Sequence, residues 1–290
     1  MAAQGEGRKA AADTAVSAPA TCECRSGAAI EAQAESVAIA KTSQSVGRCF
    51  ALAVLAGMEI ALGATLMLVV KSDAALGFAA SQLLGGIGFS LGLLCVIVAG
   101  AELFTGNALM VCAACSRKIS WGALAKNWGI VYVGNLVGSL VMVGLMTGAG
   151  IAGMNGGALG SAIVSVASVK ISLGWGTIFF RAILCNVLVC LAVWMGFAGR
   201  TVIDKVFTTI IPVMAFVACG FEHCIANMYF LPMGMATLAT GGFAGDAAAA
   251  AQVVNLSGVL WNISAATLGN IVGGAIFVGL LYWVAYAKRD

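Results

Sequence analysis

Long apolar stretches separated by short polar connections make up most of the chain after residue 45, and their lengths are those of membrane spans. A helix needs about 20 residues to cross a hydrocarbon layer about 30 Å thick. Six stretches qualify: residues 50–70, 77–115, 127–150, 173–197, 206–242 and 258–287. The pattern therefore predicts an all-α membrane protein with six transmembrane helices.

The second and fifth stretches are too long for a single span. They contain 39 and 37 residues, which would overshoot the membrane even in a strongly tilted helix. We therefore expect both helices to be broken inside the membrane, at their glycines and polar residues. Non-helical backbone is tolerated at that depth only where it faces protein or a water-lined cavity.

Two motif pairs recur in the same order in the two halves of the chain. The first is G-x-E-x4-N, present as GAELFTGN from Gly100 and as GFEHCIAN from Gly220. The second is GNLVGSLVMVGL from Gly134 and GNIVGGAIFVGL from Gly269. Each half has three spans, an odd number, so the second half must enter the membrane upside down. The sequence predicts an inverted 3+3 repeat, a class of fold whose transport site lies near the midplane.

The G-x-E-x4-N motifs lie inside the two over-long stretches and mark the predicted breaks. In each broken helix the second half would begin at mid-membrane, where its free amides and dipole present partial positive charge. Two such helix ends converging on one point favour an anion. A cation site would more naturally use helix C-termini, unwound carbonyls or further carboxylates.

Composition and charge agree with a membrane protein and indicate its orientation. The chain is 61% hydrophobic and 9% charged, with a mean hydropathy of +1.01, whereas about a quarter of a soluble domain is charged. With the N-terminus inside, the basic residues near the spans divide nine to two in favour of the cytoplasm. The inner set is Lys41, Arg48, Arg117, Lys118, Lys126, Arg200, Lys205, Lys288 and Arg289, and the outer set is Lys71 and Lys170. We expect a plasma (inner) membrane protein with both termini in the cytoplasm, in contact with lipid and not with nucleic acid.

The segment before the first span has no apolar core of the kind that a signal peptide carries. We divide the chain into a cytoplasmic tail, residues 1–45, and a membrane domain, residues 46–290. The first half of the tail is expected to be disordered, and a weakly amphipathic helix is expected from Ala28. This helix is either inert or regulatory.

Eight of the ten cysteines lie in or beside apolar stretches as small hydrophobes, and Cys22 and Cys24 form only a lone C-x-C. No metal site or cofactor is expected.

Glu222 and His223 are the only ionisable side chains in residues 206–242 apart from cysteine and tyrosine, and His223 is the only histidine of the chain. Ionisable groups inside a membrane mark pathways or proton relays by default. His223 can donate a hydrogen bond to an anion when neutral and is positively charged when protonated; the alternative is a structural histidine tied to Glu222. A carboxylate at the midplane would repel an anion, so Glu102 and Glu222 should point away from the pore and cap helix amides or pair with a lysine. Thr105 offers a hydroxyl opposite His223.

Several longer motifs resemble the signatures of the formate/nitrite transporter family, and most closely those of its formate channels. They are GAELFTG, NWGIVYVGNLVG, CNVLVCLAVWM, GFEHCIANMYFLPMG and GNIVGG. The similarity covers roughly residues 41–286. It implies an aquaporin-like protomer, assembled as a homopentamer in which each protomer has its own pore. It also implies a channel or proton-linked transporter for formate, with nitrite or hydrosulfide as the alternative substrates.

The resemblance assigns roles residue by residue. His223, Thr105 and Asn270 would form the central site. The constriction on one side of the histidine would consist of Phe89, Leu93 and Phe104, and that on the other side of Val189 and Phe216; packing alone is the alternative for these residues. A polar network that senses charge would comprise Glu222, Asn186, Asn227, Lys41, Lys170 and Glu102. In this scheme the vestibule lysine attracts the anion, and protonation from or via the histidine eases its passage.

The chain departs from the common pattern of formate channels at three motif positions. Gly106 and Cys224 stand where serine is common, and Glu102 stands where aspartate is frequent. These changes bear on loop mobility or selectivity and not on the fold.

A membrane-embedded hydrolase using Glu222 and His223 is disfavoured, because the chain has no H-E-x-x-H, no G-x-S-x-G and no second histidine. A neutral-solute channel of the aquaporin type would carry paired N-P-A loops, which are absent. We therefore expect a protein that is not an enzyme.

Overall fold

The computed structural model describes residues 24–245 and 247–287, so the expected disorder of the early tail and the role of Cys22 lie outside the described residues. Every regular element in this part of the chain is helical, as predicted. The α-helices are α1 (Gly27–Thr42), α2 (Val46–Lys71), α3 (Phe78–Cys95), α4 (Val111–Cys115), α5 (Trp121–Gly148), α6 (Ala158–Ile171), α7 (Trp175–Ala198), α8 (Val202–Ala218), α9 (Cys224–Thr240), α10 (Ala247–Val253), α11 (Leu256–Ile271) and α12 (Leu281–Tyr286). Two π-helical segments, Val96–Gly100 and Val272–Leu280, and two 3₁₀ segments, Gly106–Met110 and Ile151–Gly157, connect or extend them.

Within the described residues, six helices are long and apolar enough to cross a membrane, and five of them correspond to predicted spans. These five are Val46–Lys71, Phe78–Gly100, Trp121–Gly148, Trp175–Ala198 and Leu256–Tyr286. The sixth, Ile151–Ile171, was not predicted. Its backbone is left-handed at Asn155 and Gly156, so its regular part is the 14-residue α6, about 21 Å long and too short to cross alone. The predicted fifth span is instead divided into α8 and α9, which have 17 residues each.

The two predicted breaks fall on the two G-x-E-x4-N motifs. Residues 101–105 separate the first helix pair, and residues 219–223 separate the second. A glycine at positive φ lies at the start of each break, a conformation that side-chain-bearing residues rarely adopt. Gly100, with φ +86°, immediately precedes the first break, and Gly220, with φ +67°, is the second residue of the other. In both breaks, the amide that follows the glycine donates a hydrogen bond to the carbonyl five residues earlier in the chain. Ala101 N donates to Val96 O and Phe221 N to Phe216 O, each at 3.0 Å. The two breaks therefore share one backbone geometry.

Glycines bring pairs of helices into close contact at equivalent places in the two halves. A Cβ atom added at Gly138 of α5 would lie 2.0 Å from Val54 O of α2. A Cβ added at Gly273, just beyond α11, would lie 2.2 Å from Ile183 O of α7. Both glycines belong to the repeated G-N-x-V-G motif, whose small residues allow helix backbones to touch. These contacts agree with the predicted inverted repeat.

The helix predicted in the tail is present as α1, and it packs onto the bundle. Ser26 caps its N-terminus, and Ile30, Ala34 and Ala38 are buried. The amide of Arg25 donates to Ala198 O at the end of α7, which ties the start of the helix to a membrane span. Its last turn delivers a lysine to the bundle, as described below.

Candidate functional site

The two helix breaks meet at the centre of the bundle. Thr105 Oγ1, from the first break, lies 3.0 Å from His223 Nε2, from the second. Both residues are buried, with 1% and 3% of their surfaces exposed. The ring of His223 also lies parallel to that of Phe216, with centroids 6.0 Å apart. The structure thus brings together the predicted pair of hydrogen-bonding side chains.

The hydrogen bonds of His223 define its neutral tautomer. The residue is the N-cap of α9, and its Nδ1 accepts a hydrogen bond from Ala226 N at 3.0 Å. Nδ1 therefore carries no proton in this arrangement, and Nε2–H is the donor toward Thr105 Oγ1. A second proton would have to bind at Nδ1, where it would displace the Ala226 amide and break the cap.

Two buried asparagines hold the backbones of the two breaks in the same way. Asn270 Nδ2 donates to Ala182 O and Glu222 O, at 2.8 and 3.0 Å, and its Oδ1 accepts from Cys224 N at 2.8 Å. Asn135 Nδ2 donates to Ala53 O and Glu102 O, at 2.7 and 2.9 Å, and its Oδ1 accepts from Phe104 N at 3.0 Å. Asn270, predicted at the central site, therefore shapes the backbone beside His223 through these three hydrogen bonds.

Each break also carries a lysine, a glutamate and two asparagines in one network. In the first half, Lys41 Nζ donates to Glu102 Oε2 at 2.6 Å and to Asn107 Oδ1 at 2.7 Å, and Asn107 Nδ2 bridges to Asn127 Oδ1. In the second half, Lys170 Nζ donates to Glu222 Oε1 at 3.0 Å, and Asn227 Nδ2 bonds Glu222 Oε2 and Asn262 Oδ1. Both glutamates are thus paired with lysines. Because Lys41 ends α1 and Lys170 ends α6, the two helices occupy corresponding places in the two halves.

Two cavities open on either side of the central pair. The Lys41 vestibule, about 320 Å³, is lined by residues that include Lys41, Glu102, Leu93, Val193 and Lys205. The Lys170 vestibule, about 510 Å³, is lined by residues that include Lys170, Glu222, Lys71, Arg181, Phe89, Phe216 and His223. Cations outnumber carboxylates among the lining residues of both vestibules. Anions are therefore favoured on both sides of the site.

The predicted grouping of the constriction residues is corrected by the structure. Phe89 was expected beside Leu93 and across from Phe216. Instead the rings of Phe89 and Phe216 are in edge-to-face contact, with centroids 5.6 Å apart, and both line the Lys170 vestibule. Leu93 lies one helical turn further along and lines the Lys41 vestibule. The turn that separates Phe89 from Leu93, about 6 Å long, puts them on opposite sides of the centre.

The other two constriction residues are buried, and neither is among the described residues that line the vestibules. Phe104 packs its ring on those of Trp128 and Tyr132, with centroids 5.9 and 5.0 Å apart. Val189 lies in α7 one turn before Val193, which lines the Lys41 vestibule. Their contribution to a constriction stays a prediction.

Asn186, predicted in the polar network, fastens the central backbone. Its Nδ2 donates to Thr105 O at 3.2 Å and to Asn270 O at 2.6 Å. It thereby links the first break to the helix that carries Asn270.

Sequence reasoning missed several residues of the site. Asn135 stands in the repeated G-N-x-V-G motif, so the comparison with Asn270 could have identified it. Asn127 and Asn262 could have been found as asparagines within predicted spans. Arg181 is the only charged residue of α7 and was not considered. Among the described residues, no group of three or more histidine, cysteine, aspartate or glutamate side chains could hold a metal ion.

The site has the features of a path for a small anion. It combines a buried hydroxyl and imidazole, the N-terminal end of α9 and two cationic vestibules, with aromatic residues between the Lys170 vestibule and the centre. Hydrogen-bond donors and positive dipole ends at mid-membrane are features of anion pathways, and apolar constrictions limit what can pass.

Known proteins resemble the chain over most of its length. The family model described as formate/nitrite transporter matches residues 28–284. The formate channel FocA of Escherichia coli (strain K12) is 38% identical over 272 residues, which cover 91% of this chain and 95% of that protein. A probable formate transporter of Methanothermobacter thermautotrophicus is 37% identical over 276 residues, covering 87% and 94%.

Solved structures show the same similarity in three dimensions. A structure described as a pentameric formate channel with formate bound superposes with a TM-score of 0.77 at 40% identity, covering 84% of this chain and 98% of that one. A structure described as an FNT family ion channel superposes equally well at 29% identity, covering 88% and 98%. The six apolar helices, the paired helix breaks and these matches together show that the chain is a multi-pass membrane protein that belongs to the formate/nitrite transporter family.

Proposed function

We propose that the protein is a channel for small monovalent anions, with formate as its principal substrate. The observation that carries the proposal is the meeting of Thr105 and His223 between two cationic vestibules, in a chain whose relatives include named formate channels. The channel moves its substrate without chemical change. Nitrite and hydrosulfide are alternatives that present a similar size and charge to the same path.

The anion is attracted into either vestibule by lysines that are held in place by glutamates. The pairing of Lys41 with Glu102 and of Lys170 with Glu222 leaves each lysine partly exposed, at 20% and 14% of its side chain. The anion then loses water at the apolar rings and exchanges it for hydrogen bonds from Thr105 and from His223 Nε2–H. Because the donors are fixed in advance, little reorganisation is needed during passage.

Proton coupling through His223 requires its ring to gain and lose a proton. Since Nδ1 is occupied by the Ala226 amide, protonation of the ring would release the cap of α9. We propose that this release accompanies acid transport, whereas simple anion flow uses the neutral ring. The two modes therefore differ in their dependence on pH.

The assembly is inferred from a similar solved structure, and the orientation in the membrane from the distribution of basic residues. We propose a homopentamer in which each protomer has its own pore, on the basis of the similar structure described as pentameric. We also propose that the protein lies in the plasma membrane with both termini in the cytoplasm. The excess of basic residues on one side supports this orientation.

The test is uptake of formate, nitrite and hydrosulfide by proteoliposomes, at pH 5.5 and 7.5. The informative variant is His223→Asn, because asparagine can still cap α9 but cannot titrate. If the histidine couples protons, wild-type formate flux will rise at pH 5.5 and the variant's flux will not change with pH. A pH response that survives in the variant would contradict coupling through this residue. Folded wild type that moves none of the three anions would overturn the proposed function.

A further inference from the structure

The Lys170 vestibule contains two cations that the central site and the lysine–glutamate network do not use. Arg181 belongs to α7, and Lys71 ends α2; both line this cavity together with Lys170. All three side chains are partly exposed. The cavity is the larger of the two vestibules and leads directly to His223.

The positive charge of this vestibule is only partly compensated by its lining. Lys170 is paired with Glu222 at 3.0 Å. Lys71 donates to the side-chain oxygen of Gln82, which is neutral. Arg181 donates to Gly220 O through Nη1 in a long hydrogen bond of 3.4 Å. Among the lining residues, three cations therefore face one carboxylate, and most of the guanidinium donors of Arg181 remain available to a ligand.

Comparison of the two halves shows that the backbone at this position does not require an arginine. The amide of Glu222 donates to Arg181 O at 3.4 Å, and the amide of Glu102 donates to Leu52 O at 3.2 Å. Leu52 thus occupies the corresponding place in the first half and makes the same backbone contact. Among the residues that the structure describes, those that line the Lys41 vestibule accordingly include no arginine. The guanidinium is a feature of one vestibule, beyond what the repeat needs.

We propose that Arg181, supported by the charge of Lys71, forms a capture site for planar two-oxygen anions such as carboxylates in the Lys170 vestibule. A guanidinium presents its N–H groups as a rigid fork that matches two carboxylate oxygens at once. A single-atom anion such as hydrosulfide feels the charge but cannot use the fork. Arg181 therefore raises the occupancy of formate next to the central site relative to that of hydrosulfide. This inference rests on the proposed function.

The test compares two substitutions of Arg181 in proteoliposomes at low ionic strength and pH 7.5. Arg181→Lys keeps the charge and removes the fork, whereas Arg181→Gln removes both. The half-saturating concentrations of formate and hydrosulfide are measured for each. Lys126→Gln is the matched control, because it removes one positive charge from an exposed position on α5 that lines neither cavity.

We expect Arg181→Lys to raise the half-saturating formate concentration by about fivefold to tenfold, and to leave that of hydrosulfide unchanged. Arg181→Gln should raise both, and the control should raise neither. The inference is overturned if wild type transports formate and Arg181→Lys does so with the same half-saturating concentration, or if this variant affects formate and hydrosulfide equally. Absence of all flux in wild type would instead reject the proposed function.

Discussion

Substitution of Gly138 by alanine tests the close approach of α2 and α5. The new Cβ would lie 2.0 Å from Val54 O, whereas ordinary contacts begin near 3.4 Å, so the helices must separate by about 1.4 Å. The obstacle is backbone, which cannot rotate away as a side chain can. Overpacking typically costs 1–3 kcal/mol, and alanine regains roughly 0.5–1 kcal/mol through its higher helix propensity. Because the clash is with backbone, the overpacking cost lies at the upper end of its range, and we expect a net loss of about 2 kcal/mol.

The matched control is Gly144→Ala, in the same helix, where an added Cβ meets nothing within 4 Å. This change should be neutral or slightly stabilising. Thermal unfolding of the detergent-solubilised protein should show a lower Tm for Gly138→Ala, by about 4–8 °C for a chain of this size, and no decrease for the control. Equal Tm values for the two variants would refute the argument that these backbones are in contact.

Two further predictions concern the breaks and α1. Asn270→Ala removes three hydrogen bonds and leaves buried backbone groups unpaired, so we expect a loss of roughly 3 kcal/mol, visible as a lower Tm and matched by Asn135→Ala; a Tm unchanged in both would contradict the bracing role. Burial, followed by the neighbouring Glu35, raises the pKa of Glu31 from 4.5 to about 7. The Glu31 carboxyl therefore binds its proton more tightly when α1 is docked on the bundle than when the helix is undocked. Docking of α1 should consequently weaken as the pH rises from about 4.5 to about 7. The full shift corresponds to about 3 kcal/mol, which solvent screening reduces to roughly 1–2 kcal/mol. Protection factors of the α1 amides, which correct the exchange rate for its intrinsic dependence on pH, should be lower at pH 8 than at pH 5 in wild type, and Glu31→Gln should abolish the difference; a difference that persists would exclude Glu31 as its source.

Sequence alone determined the class of fold, the two breaks and the pair at the centre. The apolar stretches have lengths that the thickness of the bilayer imposes, and this signal is one-dimensional. The breaks were predictable because 39 and 37 apolar residues cannot form single spans. The repeated motifs marked where each break falls, and the one histidine of the chain stood at the second.

Tertiary structure decided which side chains face one another. Phe89 and Leu93 lie one turn apart in one helix, yet they line different vestibules because the centre of the path passes between them. The 14-residue α6 lies between two predicted spans, in a segment that the sequence assigns to a connection, because 14 residues cannot cross the membrane alone. Tertiary packing places its Lys170 in contact with Glu222. Sequence reasoning missed Arg181 because it lies in an apolar span. Hydropathy is averaged over the helix and does not show toward which cavity or neighbour a side chain points. Direction of a side chain depends on the neighbours that a helix packs against, and those neighbours are distant in sequence.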